Sequence, residues 1–244
     1  MLSSVLFFVG KGLLYMSEKE VEKKAPTKKA IDKKAIVKEI CKAAKLYKEN
    51  LVGRKFIYVF DGRNIEVLFK RKNYRHLTGV ECNMSAEDFY KNALKNRLSP
   101  NQIYFSKDHP YELCKKKIKH LCDISSLATG ESFMLEELVT ESRAYKFGTT
   151  DLQFSLCIDN EYDAQQNVVG DCLIAWSLRD GDEVSKAKKA YAVTHILAKE
   201  NTAAKYTEIV FLDKDESIES LPVDVLAMVD ERAMMQLPER CWSA

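Results

Sequence analysis

Apolar residues change their spacing along the chain, and each spacing predicts a different element. From Ile36 to Leu51 they recur at helical intervals, which predicts a helix from about Ile31 to Asn50. The runs Phe56–Phe60 and Ile65–Phe69 are rich in strand-forming residues, and Asp61-Gly62 separates them. Such a dipeptide between two apolar runs is typical of a tight turn, so we expect an antiparallel hairpin here.

Two further helices are predicted after the hairpin. Ser85 to Asp88 resembles a capping box and should begin a helix that stops before Pro100. A second helix is expected from about Tyr111 to Ala128, with Gly130 as its end signal.

The second half of the chain begins with a period of two, which is typical of strands. Leu152 to Ile158 alternates, and Cys172–Trp176 is a further apolar run. The pattern then predicts a helix from Ser185 to Lys199, a strand over Tyr206–Phe211 and a last helix from Pro222 to Gln236. Strands and helices do not alternate regularly, so we expect an α+β fold with helices packed on a small, mostly antiparallel sheet.

Three regions follow from composition. Residues 1–34 form a Lys- and Glu-rich leader that we expect to be disordered, residues 35–212 the main domain, and residues 213–244 an acidic connector with a C-terminal helix. Lys11 interrupts the early apolar run, which is too short for a membrane span. The codons of Lys11-Gly12 would resemble a bacterial ribosome-binding site, so Met16 is an alternative start.

Charge and cysteine content narrow the function classes. The 244 residues carry a net charge of +2, so a nucleic-acid site must be a local patch. Seven cysteines without a Cys-x-x-Cys pair favour free thiols in a reducing, cytoplasmic compartment over a disulfide framework. Cys114, His120 and Cys122 lack normal zinc spacing and a fourth ligand, so we expect neither metal nor cofactor.

His76 is the best single candidate for chemistry. No phosphate-binding glycine loop, Gly-x-Ser-x-Gly or His-Glu-x-x-His motif occurs. A histidine can act as acid or base near neutral pH. The structural alternative, which His76 taken alone favours, is that it caps or packs a short helix through Leu77. We expect His109 to lie in a turn, and His120 and His195 to be structural residues on helices.

Donor side chains stand near the ends of two predicted strands. Lys146 and Thr150 belong to the segment that enters the alternating strand, and Ser177 and Arg179 end the next strand. Lysine, hydroxyl and guanidinium groups can all donate to a phosphate. A glycine turn with capping threonines, and an arginine at a hairpin end, are the structural alternatives.

The order of these motifs resembles a known family. A basic strand precedes Asn73-Tyr74-Arg75-His76-Leu77-Thr78-Gly79, and Leu-Ser-Pro, a Lys-rich helix, a Lys-x-Gly-Thr strand and a strand ending in Ser-Leu-Arg follow. Over about Phe56 to Phe211 the chain resembles phage and mobile-element nucleases of the barnase–EndoU–colicin–RelE (BECR) superfamily.

The resemblance implies metal-independent cleavage of RNA through its 2′-hydroxyl. It would make His76 the base or acid, Lys146 and Arg179 phosphate donors, and Thr150 and Ser177 positioning hydroxyls. No second histidine is evident beside His76, so Tyr74 or a lysine remains open as its partner. RNA, and a host or immunity protein, are the implied partners, with no cofactor.

Two other functions stay open. The protein could bind RNA or a host protein without cutting, because fold does not fix function, or it could be a virion component. Convergence of the five site residues on one basic groove would favour the enzyme, and scatter would favour the binder.

Overall fold

The structure, a computed structural model, describes residues 28–141 and 143–234. The early apolar run, the alternative start at Met16, most of the leader and Cys241 lie outside the described residues. The lysine-rich helix α1 begins at Lys28, inside the region expected to be disordered, and runs to Asn50. None of the described helices is long and apolar enough to span a membrane.

The described strands form one sheet that is mostly antiparallel. The strands are β1 Arg54–Phe60, β2 Arg63–Leu68, β3 Phe133–Val139, β4 Ala144–Thr150, β5 Phe154–Tyr162, β6 Val168–Asp180, β7 Ala187–Ala192, β8 His195–Glu200 and β9 Glu208–Leu212. Their order in the sheet is β7-β3-β4-β5-β6-β2-β1-β8-β9, and only β2 and β6 run parallel. The α+β class is confirmed, but nine strands make a larger sheet than the sequence predicted.

The β1–β2 hairpin is confirmed in the expected register. Phe60 pairs with Arg63 across Asp61-Gly62, and Phe56 pairs with Val67. Asp61 and Gly62 both have positive φ, as a two-residue hairpin turn requires.

The sheet curves strongly because one continuous extended segment pairs with strands near both of its edges. β7 pairs with β3, and after only residues 193–194 the chain continues into β8, which pairs with β1. The start of β2 therefore approaches β3, where Arg63 Nη1 lies 2.7 Å from Glu136 Oε1. The rings of Phe60 and Tyr191 lie 5.9 Å apart on the helix-covered side.

Five helices pack against one face of this sheet and bury the main core. After α1 come α2 Tyr74–Thr78, α3 Ala86–Leu94, α4 Tyr111–His120 and α5 Ser126–Thr129. Ser85 caps α3 as expected, because its side chain accepts a hydrogen bond from the Asp88 amide. The helix predicted from Tyr111 to Ala128 is instead divided by a 3₁₀ turn at Leu121–Asp123.

Two predicted helices are wrong. The segment Ser185–Lys199 forms β7 and β8, so His195 lies on a strand rather than a helix. The last helix is reduced to α6 Val223–Leu226 and α7 Glu231–Met234. Together with buried Ile218 and Tyr206, these helices cover the other face of β1 and β8.

Candidate active site

His76 lies on α2, and Gly79 ends that helix. Gly79 has φ 72°, a left-handed conformation that glycine adopts without strain. A Cβ atom at Gly79 would lie 2.8 Å from Cδ of Lys117, so the glycine also leaves room for that side chain. The buried Tyr74 hydroxyl donates to the carbonyl of Ile40, which fixes α2 against α1.

The side chain of Lys117 runs from α4 past Gly79 and is only 4% exposed. Its Nζ donates to the carbonyl of His76 at 3.2 Å and to Ser177 Oγ at 3.3 Å. Within the described ranges no carboxylate forms an ion pair with it. Burial and the positive charge of Arg179 lower the pKa of Lys117 to about 8.

A gap in the pairing of β6 makes room for these groups. β2 pairs with β6 only through Val67–Leu173 and Leu68–Ile174, and beyond this point α2 and α4 contact β6. The register with β5 also shifts, because Cys157 pairs with Ser177 while Ile158 pairs with Ala175. The resulting bulge leaves Trp176 without a pairing partner on β5 and changes the direction of β6 beside the site.

We call His76, Lys117, Ser177 and Arg179 the cluster. Arg179 is its second cation. Its Nη2 donates to Thr140 Oγ1 at 3.3 Å. Burial alone would lower the pKa of Arg179, but interactions with Cys157 and Tyr145 raise it overall. Arg179 therefore stays charged, and its charge contributes to the lowered pKa of Lys117.

An aromatic and ionic layer borders His76. The rings of His76 and Trp176 lie 6.3 Å apart. The guanidinium of Arg143 lies 4.9 Å from the centroid of the Trp176 ring, and its Nη2 lies 2.8 Å from Asp159 Oδ2. Arg143 is thus held by stacking and by an ion pair next to the cluster.

His109 is the second histidine near His76. Its Nδ1 lies 2.7 Å from Glu81 Oε1. Partial desolvation of the ring and the positive charges of Arg75 and Lys117 lower the pKa of His76, and His109 acts in the same direction. His76 is therefore held neutral at physiological pH, with a second imidazole within electrostatic range.

A comparison with known protein families identifies the domain. A family model described as phage-Barnase-EndoU-ColicinE5/D-RelE like nuclease 4 matches residues 39–215. The chain belongs to this nuclease family. No curated protein and no solved structure matches the chain. The matched nuclease domain runs from within α1 to just beyond β9, and it contains every residue of the cluster.

The nuclease domain brings three of the five predicted site residues together. His76, Ser177 and Arg179 surround Lys117. Lys146 is exposed, and its Nζ donates to Asn160 Oδ1 at 3.3 Å. The Trp176 indole donates to the carbonyl of the same Asn160, so Lys146 lies near the aromatic layer without bonding to the cluster.

Thr150 serves the turn between β4 and β5 of the nuclease domain. Its Oγ1 donates to the carbonyl of Phe154 at 2.7 Å and accepts from the amide of Leu152 at 3.0 Å. Leu152 has φ 72°, so these bonds hold a strained backbone. A role for Thr150 in positioning a phosphate stays a prediction.

The other two histidines have structural partners. The ring of His120 stacks on Phe154 with centroids 4.8 Å apart, and its Nε2 lies 2.8 Å from Asp180 Oδ1. His195 is buried, and its Nε2 lies 2.8 Å from the Ser217 carbonyl oxygen. Both histidines are structural, as expected, although His195 is not on a helix.

Sequence reasoning missed Lys117 because it lies in a Lys-rich run. One signal was present, since Cys114, Lys117 and Leu121 share the spacing of a buried helix face. In the described part of the nuclease domain, no group of three or more His, Cys, Asp or Glu side chains could hold a metal ion.

Proposed function

We propose that the protein is an endoribonuclease in which a ribose 2′-hydroxyl attacks the adjacent phosphate without a divalent metal. The main support for this proposal is that the ammonium group of Lys117 donates hydrogen bonds both to the carbonyl of His76 and to the hydroxyl of Ser177. Arg179 lies within electrostatic range of the same group. This arrangement combines a neutral imidazole with two cations at one place. Such a combination suits proton transfer at a phosphate.

His76 takes the role of general base. Its lowered pKa leaves the imidazole unprotonated near neutral pH, and its side chain is exposed to substrate. The base removes the 2′-hydroxyl proton as that oxygen forms a bond to phosphorus.

His109 takes the role of general acid. Its Nδ1 lies 2.7 Å from Glu81 Oε1, so a carboxylate borders the ring. The ring gives its proton to the 5′-oxygen as the bond from phosphorus to that oxygen breaks, leaving a 2′,3′-cyclic phosphate. Tyr74 does not fit this role, because it is buried, its hydroxyl is bonded to Ile40, and burial raises its pKa.

Lys117 and Arg179 stabilise the charge that develops on the phosphorane. A positive charge in a site of low dielectric acts strongly on a neighbouring anion. Ser177 holds the ammonium group of Lys117 in place through its hydroxyl. Lys146 and Thr150 bond to other groups, and their roles at the phosphate stay predictions.

Cleavage of total cellular RNA in EDTA tests the proposal. We expect wild-type protein to cleave, and His76→Ala to lose cleavage while its thermal unfolding stays cooperative. A synthetic RNA with a 2′-deoxyribose at the cleavage position should resist, since the attacking hydroxyl is missing. Loss of cleavage in EDTA, or cleavage of the deoxy substrate, would contradict the proposed mechanism.

A binder without cleavage activity is the second candidate. The low exposure of Lys117 and Ser177 favours it, because little of either side chain is open to a phosphate and Lys117 would act on one mainly through its electric field. RNA binding without cleavage by folded wild-type protein would support it. RNA as substrate, a host or immunity protein as partner and a cytoplasmic location are parts of these proposals.

A further inference from the structure

The outer face of α1 carries a line of lysines. We call these five residues the lysine stripe: Lys34, Lys38, Lys42, Lys45 and Lys48. At 3.6 residues per turn they fall within about 120° of arc, and a rise of about 1.5 Å per residue spreads them over about 21 Å. All five are exposed, whereas Ile40, Ala44 and Tyr47 on the opposite side are buried in the core.

The lysine stripe differs from other lysines in its ion pairing. Within residues 28–141 and 143–234, none of its five side chains forms an ion pair. Eight other described lysines do so, namely Lys55, Lys70, Lys72, Lys91, Lys115, Lys119, Lys186 and Lys188. Glu49 at the C-terminal end of the stripe and Glu39 beside Lys38 are the nearby acidic residues on α1, so five positive charges stand against two negative charges and the stripe stays positive.

The lysine stripe is attached firmly to the segment that carries His76. Tyr74 stands two residues before His76, and its hydroxyl donates to the carbonyl of Ile40 on α1 at 2.6 Å. The Tyr47 hydroxyl donates to the carbonyl of Lys70 at 3.3 Å. A polyanion bound along the stripe is therefore held in a fixed relation to α2.

We propose that the lysine stripe binds the phosphate backbone of RNA that flanks the cleaved bond. The inference rests on the proposed function and extends the substrate from a single phosphate to a strand of several nucleotides. A regular row of ammonium groups suits a regular row of phosphates, whose counterions are released on binding. A protein partner fits less well, because interface centres are depleted in lysine and enriched in aromatic residues.

The test compares two variants with equal loss of charge. In the first, all five stripe lysines are changed to Gln. The matched control also changes five exposed lysines, which lie on α3, directly after it, in the turn before β7 and on β7, namely Lys91, Lys95, Lys186, Lys188 and Lys189. Binding to a fluorescent 2′-O-methyl RNA, which has no attacking hydroxyl, is measured at several salt concentrations.

We expect the stripe variant to lose most of the salt dependence. The slope of log K against log salt is negative, and each lost contact with single-stranded nucleic acid reduces its magnitude by about 0.7. Five lost contacts therefore reduce the magnitude of the slope by up to about 3.5. The control variant should keep the wild-type slope. Equal slopes for the two variants, or no binding of RNA by the wild type, would overturn the inference.

Cleavage of an RNA dinucleotide separates this inference from the proposed function. A dinucleotide has a single phosphodiester, which the active site takes, so no phosphate is left for the stripe and the stripe variant should cleave it at the wild-type rate. If folded wild-type protein fails to cleave it while the binding slopes still differ, the proposed cleavage is wrong and the lysine stripe stands. A slower dinucleotide reaction in the stripe variant alone would instead show that the stripe acts through the active site, against the inference.

Discussion

The ammonium nitrogen of Lys117 lies 3.3 Å from the hydroxyl oxygen of Ser177, and this contact joins α4 to β6 below His76. The charge is buried, and among the described residues no carboxylate pairs with it. Groups arranged in this way often serve function at the expense of stability.

Replacing Lys117 with Met should stabilise the protein and abolish cleavage. A fall in pKa from 10.5 to about 8 corresponds to about 3 kcal/mol, since one unit is about 1.4 kcal/mol. Loss of the two hydrogen bonds reduces the gain to about 1–3 kcal/mol. Urea unfolding at pH 7 measures this gain in the free energy of unfolding.

The gain from Lys117→Met should depend on pH with a definite sign. The folded state resists protonation of Lys117, so its destabilising effect is complete below pH 8 and disappears as the pH rises from about 8 to 10.5. The advantage of the variant should shrink over that window. An advantage that does not vary with pH would show that packing, not charge, is responsible.

The pH dependence of cleavage should report on His76. Because the pKa of His76 is lowered by desolvation and nearby cations, the acidic limb of the kcat/KM profile should have its midpoint below 6.5. Glu81→Gln should lower kcat, since the carboxylate 2.7 Å from Nδ1 of His109 is gone. A kcat that does not change in this variant would count against His109 as the general acid.

Gly79→Ala should destabilise the protein more than Gly62→Ala does. Both glycines have φ near 70°, so both variants carry the cost of a left-handed Ala, about 1–2 kcal/mol. At Gly79 the new methyl group also meets Lys117 Cδ at 2.8 Å, whereas nothing lies within 4 Å at Gly62. When Lys117 is also changed to Ala, Gly79→Ala should destabilise the protein no more than Gly62→Ala does, as measured by urea unfolding. If Gly79→Ala still costs more in that background, the methyl group clashes with a residue other than Lys117.

Glu161→Gln should destabilise the nuclease domain by about 1–3 kcal/mol. The buried Glu161 carboxylate pairs with Lys70 and Lys72, just before the His76 segment. Burial alone would raise the pKa of Glu161, but these lysines lower it, so the pair stabilises above pH 4.5 and this contribution is lost as the pH falls. Exposed Glu131→Gln is the control, and equal unfolding free energies for the two variants would contradict the prediction.

Local signals predicted the parts of the fold that local interactions decide. The hairpin at Asp61-Gly62 and the cap at Ser85 depend on neighbouring residues, and both are present. The segment from Ser185 to Lys199 contains good helix formers, yet pairing with β3 and β1 makes it two strands. Propensity is a weak signal when tertiary pairing buries Ile196 and Leu197.

The site was partly predictable for the same reason. His76, Ser177 and Arg179 stand next to recognisable strand and helix ends. The role of Lys117 depends on a contact with β6 that is 60 residues away in sequence. His109 was assigned to a turn, and only the folded chain places Glu81 beside it.

The extended segment formed by β7 and β8 also bears on how the chain acquires its structure during synthesis. β1 receives its second neighbour from residues 195–200, which a ribosome adds about 140 residues later. Pairing across such a separation favours slow folding. We expect a nascent chain to remain an incomplete sheet until β9 at Glu208–Leu212 has emerged, so that a cell making this protein holds no folded nuclease domain until synthesis of the domain is almost finished.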